Sequence, residues 1–364
     1  MKLGHEVHII GIYDPGTNYD GLVFHGLPRN ERESFLDKAH LPMGSFSVWR
    51  TARNAKNVFD LLRFSIKEFD VVHCHYLDTA IGWLLARMMM SFEARSFLHF
   101  HNIPILTFAN RVPMLRATGE FDGLFAVSEY VKQGMLKRAP FSQGKIRVVQ
   151  NAIDPGELKG SGLSTMQGIP CDCIRMLYVG RIVEEKGLHH VVRAMALLKR
   201  RGRIGDLQLM VVGPSGGFGQ KIQSGYMEFV RTLIDREGLS QKVHFFGNVG
   251  RDLLFQAYRS SDFLVVPSSW GDPCPTVVIE GMAFNKPVIA FRDGGIPEQV
   301  VEGVTGFLVE VGDVEALADK LELLCDDTKL RSVLGHRGAI RAESRFSFNV
   351  VANDLTSIYA GQSS

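Results

Sequence analysis

The sequence predicts an α/β fold made of two doubly wound domains that face each other across a cleft. Apolar strand-like runs alternate with helix-like runs along the chain, which is typical of parallel sheets covered by helices. Residues 155–170 are rich in Gly, Ser and Pro and lack apolar periodicity, as expected of a linker between domains. With 364 residues and 45% hydrophobic content, the chain can bury two cores.

The first predicted domain comprises residues 1–154. Its strands are expected at 6–12, 70–75, 95–101, 123–127 and 146–149. Its helices are expected at 48–68, 79–90 and 129–137, and a long loop at 13–43. The helix at 79–90 carries the apolar run Trp83–Met90, which could touch a membrane surface. Burial is the commoner fate of such a helix, so we expect it to pack in the core.

The second predicted domain comprises residues 171–345, and its strands are expected at 176–179, 207–212, 243–246, 263–266, 287–291 and 306–309. In its first helix, Leu188, Val191, Val192, Met195 and Leu198 recur at helical spacing, so this face should pack on the sheet. Residues 346–364 are predicted to form a final helix that packs back toward the first domain.

Charge and cysteine content narrow the function classes. The chain has 41 Lys+Arg and 39 Asp+Glu residues, so nucleic acid is not an expected partner. Its five cysteines are odd in number, unlike a secreted disulfide framework. No apolar run approaches the roughly 20 residues that span a bilayer, and Met1–Ile10 lacks a signal-peptide pattern. We expect a cytoplasmic protein, with peripheral contact at the inner face of the membrane as its only membrane association.

The stretch 263–295 reads as one βαβ unit with its polar groups gathered at one end. Asp272 lies in the loop after the first strand, and Glu280 lies about one turn into a helix that Pro275 starts. Ligands bind at this edge of open α/β sheets, and carboxylates suit sugar hydroxyls. We interpret the two acids as holding the sugar and ribose ends of one nucleotide-sugar. Alternatively, Asp272 is only the helix N-cap, and Gly294-Gly295 only a tight turn.

A second strand-to-helix corner reads Gly180-Arg181-Ile182-Val183-Glu184-Glu185-Lys186-Gly187. Arg181 and Lys186 are two cations beside a helix N-terminus, which suits a diphosphate whose charge must be held and stabilised as it leaves. The alternative is that both are solvated and paired with the neighbouring glutamates, since surface ion pairs are common and nearly neutral in energy.

Two His-x-His pairs each end a predicted strand, His73 with His75 and His99 with His101. Strand alternation places each pair on one face, so a metal site is one interpretation. No ligand pattern of established spacing accompanies them, and we expect no metal. His101 is instead interpreted as a rim histidine near a reacting sugar, and the other three as structural histidines.

At these motifs the sequence resembles the retaining GT-B glycosyltransferases of the glycosyl transferase group 1 family (family GT4). The similarity rests on Gly180-Arg181 with Lys186-Gly187, on Asp272 and Glu280 in an E-x7-E-like frame, and on 294–298 followed by 303–309. In the first half it rests on 70–73, the strand end at His101, 127–129 and 149–154.

The resemblance implies two Rossmann-like domains and transfer of a sugar, with retention, from a nucleoside-diphosphate sugar to a glycan, lipid-linked or small-molecule acceptor. It implies no cofactor and no catalytic metal. By matching position, Arg181 and Lys186 hold the diphosphate, Glu280 the ribose and Asp272 the donor sugar, while His101 lies beside that sugar. The remaining donor-binding positions are Gly180, Pro275 and Thr276.

The sequence departs from the family pattern in two places. Asp272 stands where the family commonly has Glu, which shortens its reach by one methylene. Residues 1–7 match the end of the family's first helix and its second strand, so the first strand, its Gly-rich loop and most of that helix lack counterparts here. We expect either a natural start upstream or an impaired form.

Two other functions remain open. A nucleotide-sugar 2-epimerase on the same architecture would isomerise the donor without an acceptor. A nucleotide-sugar-binding protein without transferase activity would bind a nucleoside diphosphate and neither transfer nor hydrolyse the donor. The fold alone does not separate these functions.

Overall fold

The computed structural model describes residues 7–11, 22–26, 69–75, 77–90, 93–104, 119–140, 144–154, 156, 172–215 and 224–361. The chain divides into two compact units. The first comprises residues 1–126 and 134–147, and the second comprises residues 127–133 and 148–364. The predicted helix at 48–68 and, apart from Gly156, the predicted linker at 155–170 lie outside the described residues.

The first unit contains a two-stranded and a four-stranded sheet. The strands are β1 (Val7–Gly11), β2 (Leu22–Gly26), β3 (Val71–Cys74), β4 (Arg95–Phe100), β5 (Gly123–Ala126) and β6 (Ile146–Val148). β1 pairs with β2 in parallel. The larger sheet has the order β3-β4-β5-β6. The predicted loop at 13–43 was wrong in one respect, because β2 lies within it. Its apolar run of three residues is too short to stand out from a Gly-rich surrounding.

Helix α1 (Leu77–Met90) follows β3, and helix α2 (Glu129–Leu136) follows β5; the part of α2 up to Gln133 belongs to the second unit. Trp83 is buried in the first unit, which confirms the expected packing of α1. In the sheet, the rings of Phe97 and Phe125 stack at a centroid distance of 5.3 Å. Within the described part of the chain, no helix combines the length and apolar character needed to cross a bilayer.

The second unit is built on a six-stranded sheet. Its strands are β7 (Ile174–Val179), β8 (Leu207–Val212), β9 (Val243–Gly247), β10 (Phe263–Val266), β11 (Val288–Phe291) and β12 (Gly306–Val309). They lie in the order β12-β11-β10-β7-β8-β9, and neighbouring strands pair in parallel. The first strand of the unit is therefore central, with one half of the chain wound to each side of it.

The helices of the second unit connect these strands and end the chain. They are α3 (Leu188–Arg200), α4 (Ser224–Arg236), α5 (Arg251–Ser260), α6 (Thr276–Ala283), α7 (Ile296–Gln299), α8 (Val314–Asp326), α9 (Thr328–Phe346) and α10 (Phe348–Tyr359). The five apolar residues predicted to share one face of α3 are all fully buried, so the periodicity in the sequence identified the packed face correctly.

The chain order places one crevice in the second unit. β7 and β10 are neighbours, but the chain leaves β7 toward β8 and leaves β10 toward β11, on opposite sides. The loops that follow these two strands therefore separate, and a crevice opens between their carboxyl ends. Both strand ends carry predicted site residues.

Candidate functional site

A cavity of about 160 Å³ occupies this crevice. Its walls come from the end of β7 with Gly180 and Lys186, from the end of β10 with Ser268, and from the loop and first turn of α6. The predicted residues Gly180, Lys186, Asp272, Pro275 and Thr276 all line it. The tertiary structure thus brings together groups that are nearly a hundred residues apart.

The part of the cavity wall that carries Lys186 requires glycine at position 187. The residue has φ of +72°, and a Cβ added there would lie 2.0 Å from the carbonyl oxygen of Pro267. No side chain fits at that distance, so the turn after Lys186 can press against the end of β10 only because residue 187 is glycine. This approach sets Lys186 at the cavity.

Lys186 and Asp272 form an ion pair inside the cavity. Their side chains are 21% and 8% exposed, so most of the water around both charges has been removed. The hydroxyl Oγ of Ser268 donates to Asp272 Oδ2 at 3.5 Å, and Lys186 Nζ lies 5.2 Å from the ring centroid of Trp270. Each charge in this site compensates the other in the unliganded protein.

The N-terminus of α6 also faces the cavity. Pro275 is its N-cap residue and makes no side-chain capping hydrogen bond, so the alternative that Asp272 caps this helix is wrong. Thr276 and Val277 form the first turn and line the cavity. Backbone N–H groups in a first helical turn have no intrahelical acceptor, and they favour an anion.

Glu280 lies one turn further along α6 and does not line the cavity. It is largely buried, and Tyr258 Oη on α5 donates a hydrogen bond to Glu280 Oε2 at 2.7 Å. Burial raises the pKa of Glu280, while the hydrogen bond from Tyr258 opposes this rise. One carboxylate oxygen is thus held by the protein, and the group is oriented before any ligand arrives.

Arg181 is also absent from the cavity wall. Its guanidinium pairs with Glu185 Oε1 at 2.7 Å, and its side chain is 36% exposed. The structure therefore realises for Arg181 the surface pairing that we considered as an alternative. For Lys186 it does not, because the partner of Lys186 is Asp272 rather than a neighbouring glutamate.

The Gly294-Gly295 turn supports the Asp272 loop. A Cβ on Gly294 would lie 2.2 Å from the carbonyl oxygen of Asp272, and one on Gly295 would lie 1.9 Å from that of Pro273. The Gly295 N–H donates to the carbonyl oxygen of Asp272 at 2.8 Å. These glycines therefore permit contact between two backbone segments.

Glu298, three residues further on, has a role that the sequence motif did not reveal. Its carboxylate accepts from the backbone N–H groups of Glu129 and Tyr130 at 2.7 and 2.8 Å, within the second unit. It thereby caps the first turn of α2. Arg341 in turn donates to the carbonyl oxygens of Glu298 and Gln299, both at 2.7 Å.

Four histidines gather at the carboxyl ends of β3 and β4 in the first unit. The ligand nitrogens of His73, His75 and His99 all lie within 4.8 Å of one another. His101 stacks on His99 with centroids 4.5 Å apart, and His75 Nδ1 lies 2.8 Å from His101 Nε2. The two pairs that the sequence placed on separate strands therefore form a single cluster.

Sequence reasoning missed Ser268, Trp270 and Tyr258. Ser268 and Trp270 follow a predicted strand and could have been suspected from that position, because polar and aromatic groups at strand ends line ligand crevices. Tyr258 carried no such signal. It lies on α5, and only the packing of α5 against α6 brings its hydroxyl to Glu280.

Two comparisons with protein families cover most of the chain. Residues 167–341 match the model described as glycosyl transferases group 1, and residues 1–157 match glycosyltransferase family 4. These matches define the class as a GT-B glycosyltransferase. The two parallel-sheet α/β units, and the cavity between the carboxyl ends of β7 and β10, agree with this class. The second half of the chain thus carries the glycosyl transferases group 1 match, and the first half carries the family 4 match.

Known proteins agree with this assignment. A D-inositol 3-phosphate glycosyltransferase from Streptomyces avermitilis is 28% identical over 308 residues, which cover 80% of this chain and 65% of the relative. A glycosyltransferase from Rickettsia africae has the same fold, with a TM-score of 0.78, 23% identity, and coverage of 99% of this chain and 91% of its own. Anabaena Alr3699/HepE in complex with UDP gives a TM-score of 0.75 at 17% identity, with 98% and 99% coverage.

Proposed function

We propose that the protein is a retaining glycosyltransferase that moves a sugar from a nucleoside-diphosphate sugar to the hydroxyl of an acceptor, in glycan or glycoconjugate biosynthesis. The observation that most supports this proposal is the cavity between the carboxyl ends of β7 and β10, which combines a cation, a carboxylate and a helix N-terminus. A nucleoside-diphosphate sugar offers complementary groups, an anionic diphosphate between two hydroxyl-bearing rings. The complex of Anabaena Alr3699/HepE with UDP supports this choice of donor.

The diphosphate would bind to Lys186 and the first turn of α6. The ammonium of Lys186 is a compact cation that suits a phosphate oxygen. The backbone N–H groups of Thr276 and Val277 add fixed donors at the positive end of the helix dipole. Pro275, the N-cap residue, has no side-chain oxygen that could accept from these donors, so they are left to the ligand.

Donor binding would replace the ion pair between Lys186 and Asp272 by a new partner for each charge. Lys186 and Asp272 compensate each other, and most of the surface of both side chains is shielded from solvent. A bound donor would offer a phosphate to Lys186 and sugar hydroxyls to Asp272. Neither charge would then be left buried without a partner, which is the costly outcome in such a site.

Glu280 would hold the ribose. A carboxylate has two acceptor oxygens, and Tyr258 donates to one of them. The remaining acceptor capacity suits a hydroxyl of the ribose. Arg181 could join the diphosphate at little cost, since its exposed pair with Glu185 is of a kind worth less than about 1 kcal/mol.

The chemistry of transfer would consist mainly of positioning and charge stabilisation. The bond from the sugar to the donor phosphate oxygen breaks, the acceptor oxygen bonds to the same face of the sugar, and a leaving-phosphate oxygen takes the acceptor's proton. Lys186 and Arg181 stabilise the negative charge that develops on the leaving diphosphate. His101 keeps the role that the resemblance implies, beside the donor sugar.

The acceptor class is a glycan, a lipid-linked or a small-molecule hydroxyl compound. We place the reaction in the cytoplasm, with a membrane-bound acceptor reached by peripheral contact at the inner face of the membrane.

The first test is calorimetric titration with UDP, GDP, ADP and their common sugars. The wild-type protein should bind one nucleoside diphosphate. Lys186→Ala should weaken that binding at least about 30-fold, the effect of losing a charge-assisted contact of about 2 kcal/mol. Lys329→Ala removes an exposed lysine on α9 and is the matched control. Equal affinity of wild type and Lys186→Ala would refute the assigned site.

A second measurement addresses the reaction. Incubation with the donor and candidate acceptors should release the nucleoside diphosphate, and NMR of the product should show the anomeric configuration of the donor. An inverted product would refute retention. Isomerisation of the donor without any acceptor would identify an epimerase, and binding without transfer or hydrolysis would identify a binding protein.

A further inference from the structure

We propose that His73, His75 and His99 form a binding site for one divalent transition-metal ion such as Zn²⁺, at the carboxyl ends of β3 and β4. His101 acts as the positioning residue that orients His75. The site lies within the first unit and uses none of the residues that line the cavity of the second.

Strand register explains why these rings meet. β3 and β4 pair in parallel with Val71 opposite Arg95 and His73 opposite Phe97. Alternate residues of a strand point to one face, so the histidines at positions 73, 75, 99 and 101 share a face of the sheet. The ring centroid of His73 lies 4.4 Å from the ring centroid of His75 and 5.3 Å from that of His99.

The spacing suits a metal ion. In a tetrahedral zinc site, with Zn–N distances near 2.0–2.1 Å, ligand nitrogens lie about 3.3 Å apart. The three nitrogens here lie within 4.8 Å of one another, so small side-chain rotations bring them to an ion. Imidazole favours Zn²⁺, Co²⁺, Ni²⁺ and Cu²⁺ over Mg²⁺ or Ca²⁺.

His101 supplies the outer hydrogen bond that metal-binding histidines commonly make. When His75 carries its proton on Nδ1, it donates to His101 Nε2 at 2.8 Å, and its Nε2 lone pair is available to the ion. Three imidazoles then bind the metal and leave a fourth coordination position for water, as in many zinc sites.

Solvent can reach one side of the site. The exposed side chain of His75 gives solvent access, while His99 is buried.

One consequence rests on the proposed function. An ion on His75 fixes the hydrogen bond that occupies Nε2 of His101, the residue expected beside the donor sugar. Zn²⁺ should then slow sugar transfer in the wild type and have less effect in His75→Gln. Metal binding itself needs no donor, so it can be measured even if the transferase assignment fails.

The test is titration of the untagged, chelator-treated full chain with ZnSO₄ by calorimetry, and with CoCl₂ by visible absorption. We expect one ion per chain, and the Co²⁺ spectrum of a four-coordinate site with three nitrogen ligands and one water. His75→Gln should weaken Zn²⁺ binding about 100-fold or more, and His101→Gln should weaken it about 10- to 100-fold.

The matched control is the double variant His189→Gln/His190→Gln. It removes another close histidine pair, with centroids 3.9 Å apart, in the second unit. It should bind Zn²⁺ like the wild type. The proposal is overturned if wild type and His75→Gln bind Zn²⁺ equally, or if only the control loses binding. Thermal unfolding of the metal-free variants establishes that each is folded, which is expected for the exposed position 75.

Discussion

The two units gather polar side chains at the carboxyl ends of parallel strands, but they balance them differently. In the second unit, a lysine and a carboxylate neutralise each other at a cavity, with most of both side chains shielded from solvent. In the first unit, four imidazole rings stack on one another. The first arrangement depends on opposite charges and the second on stacked rings at paired strand ends, so each should respond to different changes.

They also differ in what holds them together. The cavity of the second unit depends on backbone segments that touch at Gly187, Gly294 and Gly295, where a Cβ would overlap a carbonyl oxygen. The histidine cluster depends only on two-residue spacing in paired strands. A single added methyl group should therefore damage the first kind of site far more than the second.

The largest effect should come from Gly295→Ala. The new Cβ would lie 1.9 Å from the carbonyl oxygen of Pro273, so the Asp272 loop must move. We expect a loss of about 3 kcal/mol in the free energy of unfolding, measured with urea, together with loss of nucleotide binding. Gly225→Ala, where the added Cβ meets nothing within 4 Å, is the control and should change little. Equal stability of the two variants would contradict the packing argument.

Lys186→Ala should come next. Among the described residues, it leaves the hydroxyl of Ser268 at 3.5 Å as the remaining side-chain hydrogen-bond partner of the Asp272 carboxylate, which is 8% exposed. We expect a loss of about 2 kcal/mol in the free energy of unfolding, less than for a fully buried pair because Lys186 is partly exposed. The double variant Lys186→Met/Asp272→Leu should recover part of this loss. A double variant less stable than Lys186→Ala would show that the pair is not the source of the effect.

Glu298→Gln should have a smaller effect. The substitution keeps an acceptor oxygen but removes the negative charge from the first turn of α2, where Glu129 and Tyr130 donate to it. We expect a loss of about 1 kcal/mol in the free energy of unfolding, measured by thermal unfolding. Glu310→Gln removes a carboxylate that is 74% exposed and pairs with Arg292, so it should change stability by less. A larger effect at Glu310 would contradict this ranking.

Glu280→Gln should act in the opposite direction and stabilise the unliganded protein by about 1 kcal/mol. Burial raises the pKa of Glu280, so the folded protein holds this proton more tightly than the unfolded chain. The wild type should therefore lose stability as pH rises from 4.5 through the raised value, and the advantage of the variant should grow over that range. Urea unfolding at several pH values measures it. An advantage that shrinks as pH rises would contradict the pKa direction.

Local pattern was enough to predict much of the fold. Alternation of apolar runs located β3 to β12 to within one or two residues, and helical spacing identified the buried face of α3. These features are set by the geometry of the backbone over a few residues, which the sequence expresses directly. The run in β2 failed because three apolar residues give too little periodicity.

Local sequence pattern predicted only part of the composition of the candidate sites. The sequence by itself placed His73 with His75 on one face, His99 with His101 on another, and Lys186, Asp272, Pro275 and Thr276 at strand ends. Only the tertiary structure decided that β3 lies beside β4 and β7 beside β10, and that Lys186 pairs with Asp272 while Arg181 pairs with Glu185. The physical reason is that strand order and side-chain pairing depend on contacts between distant segments, whereas periodicity is a local property of the chain.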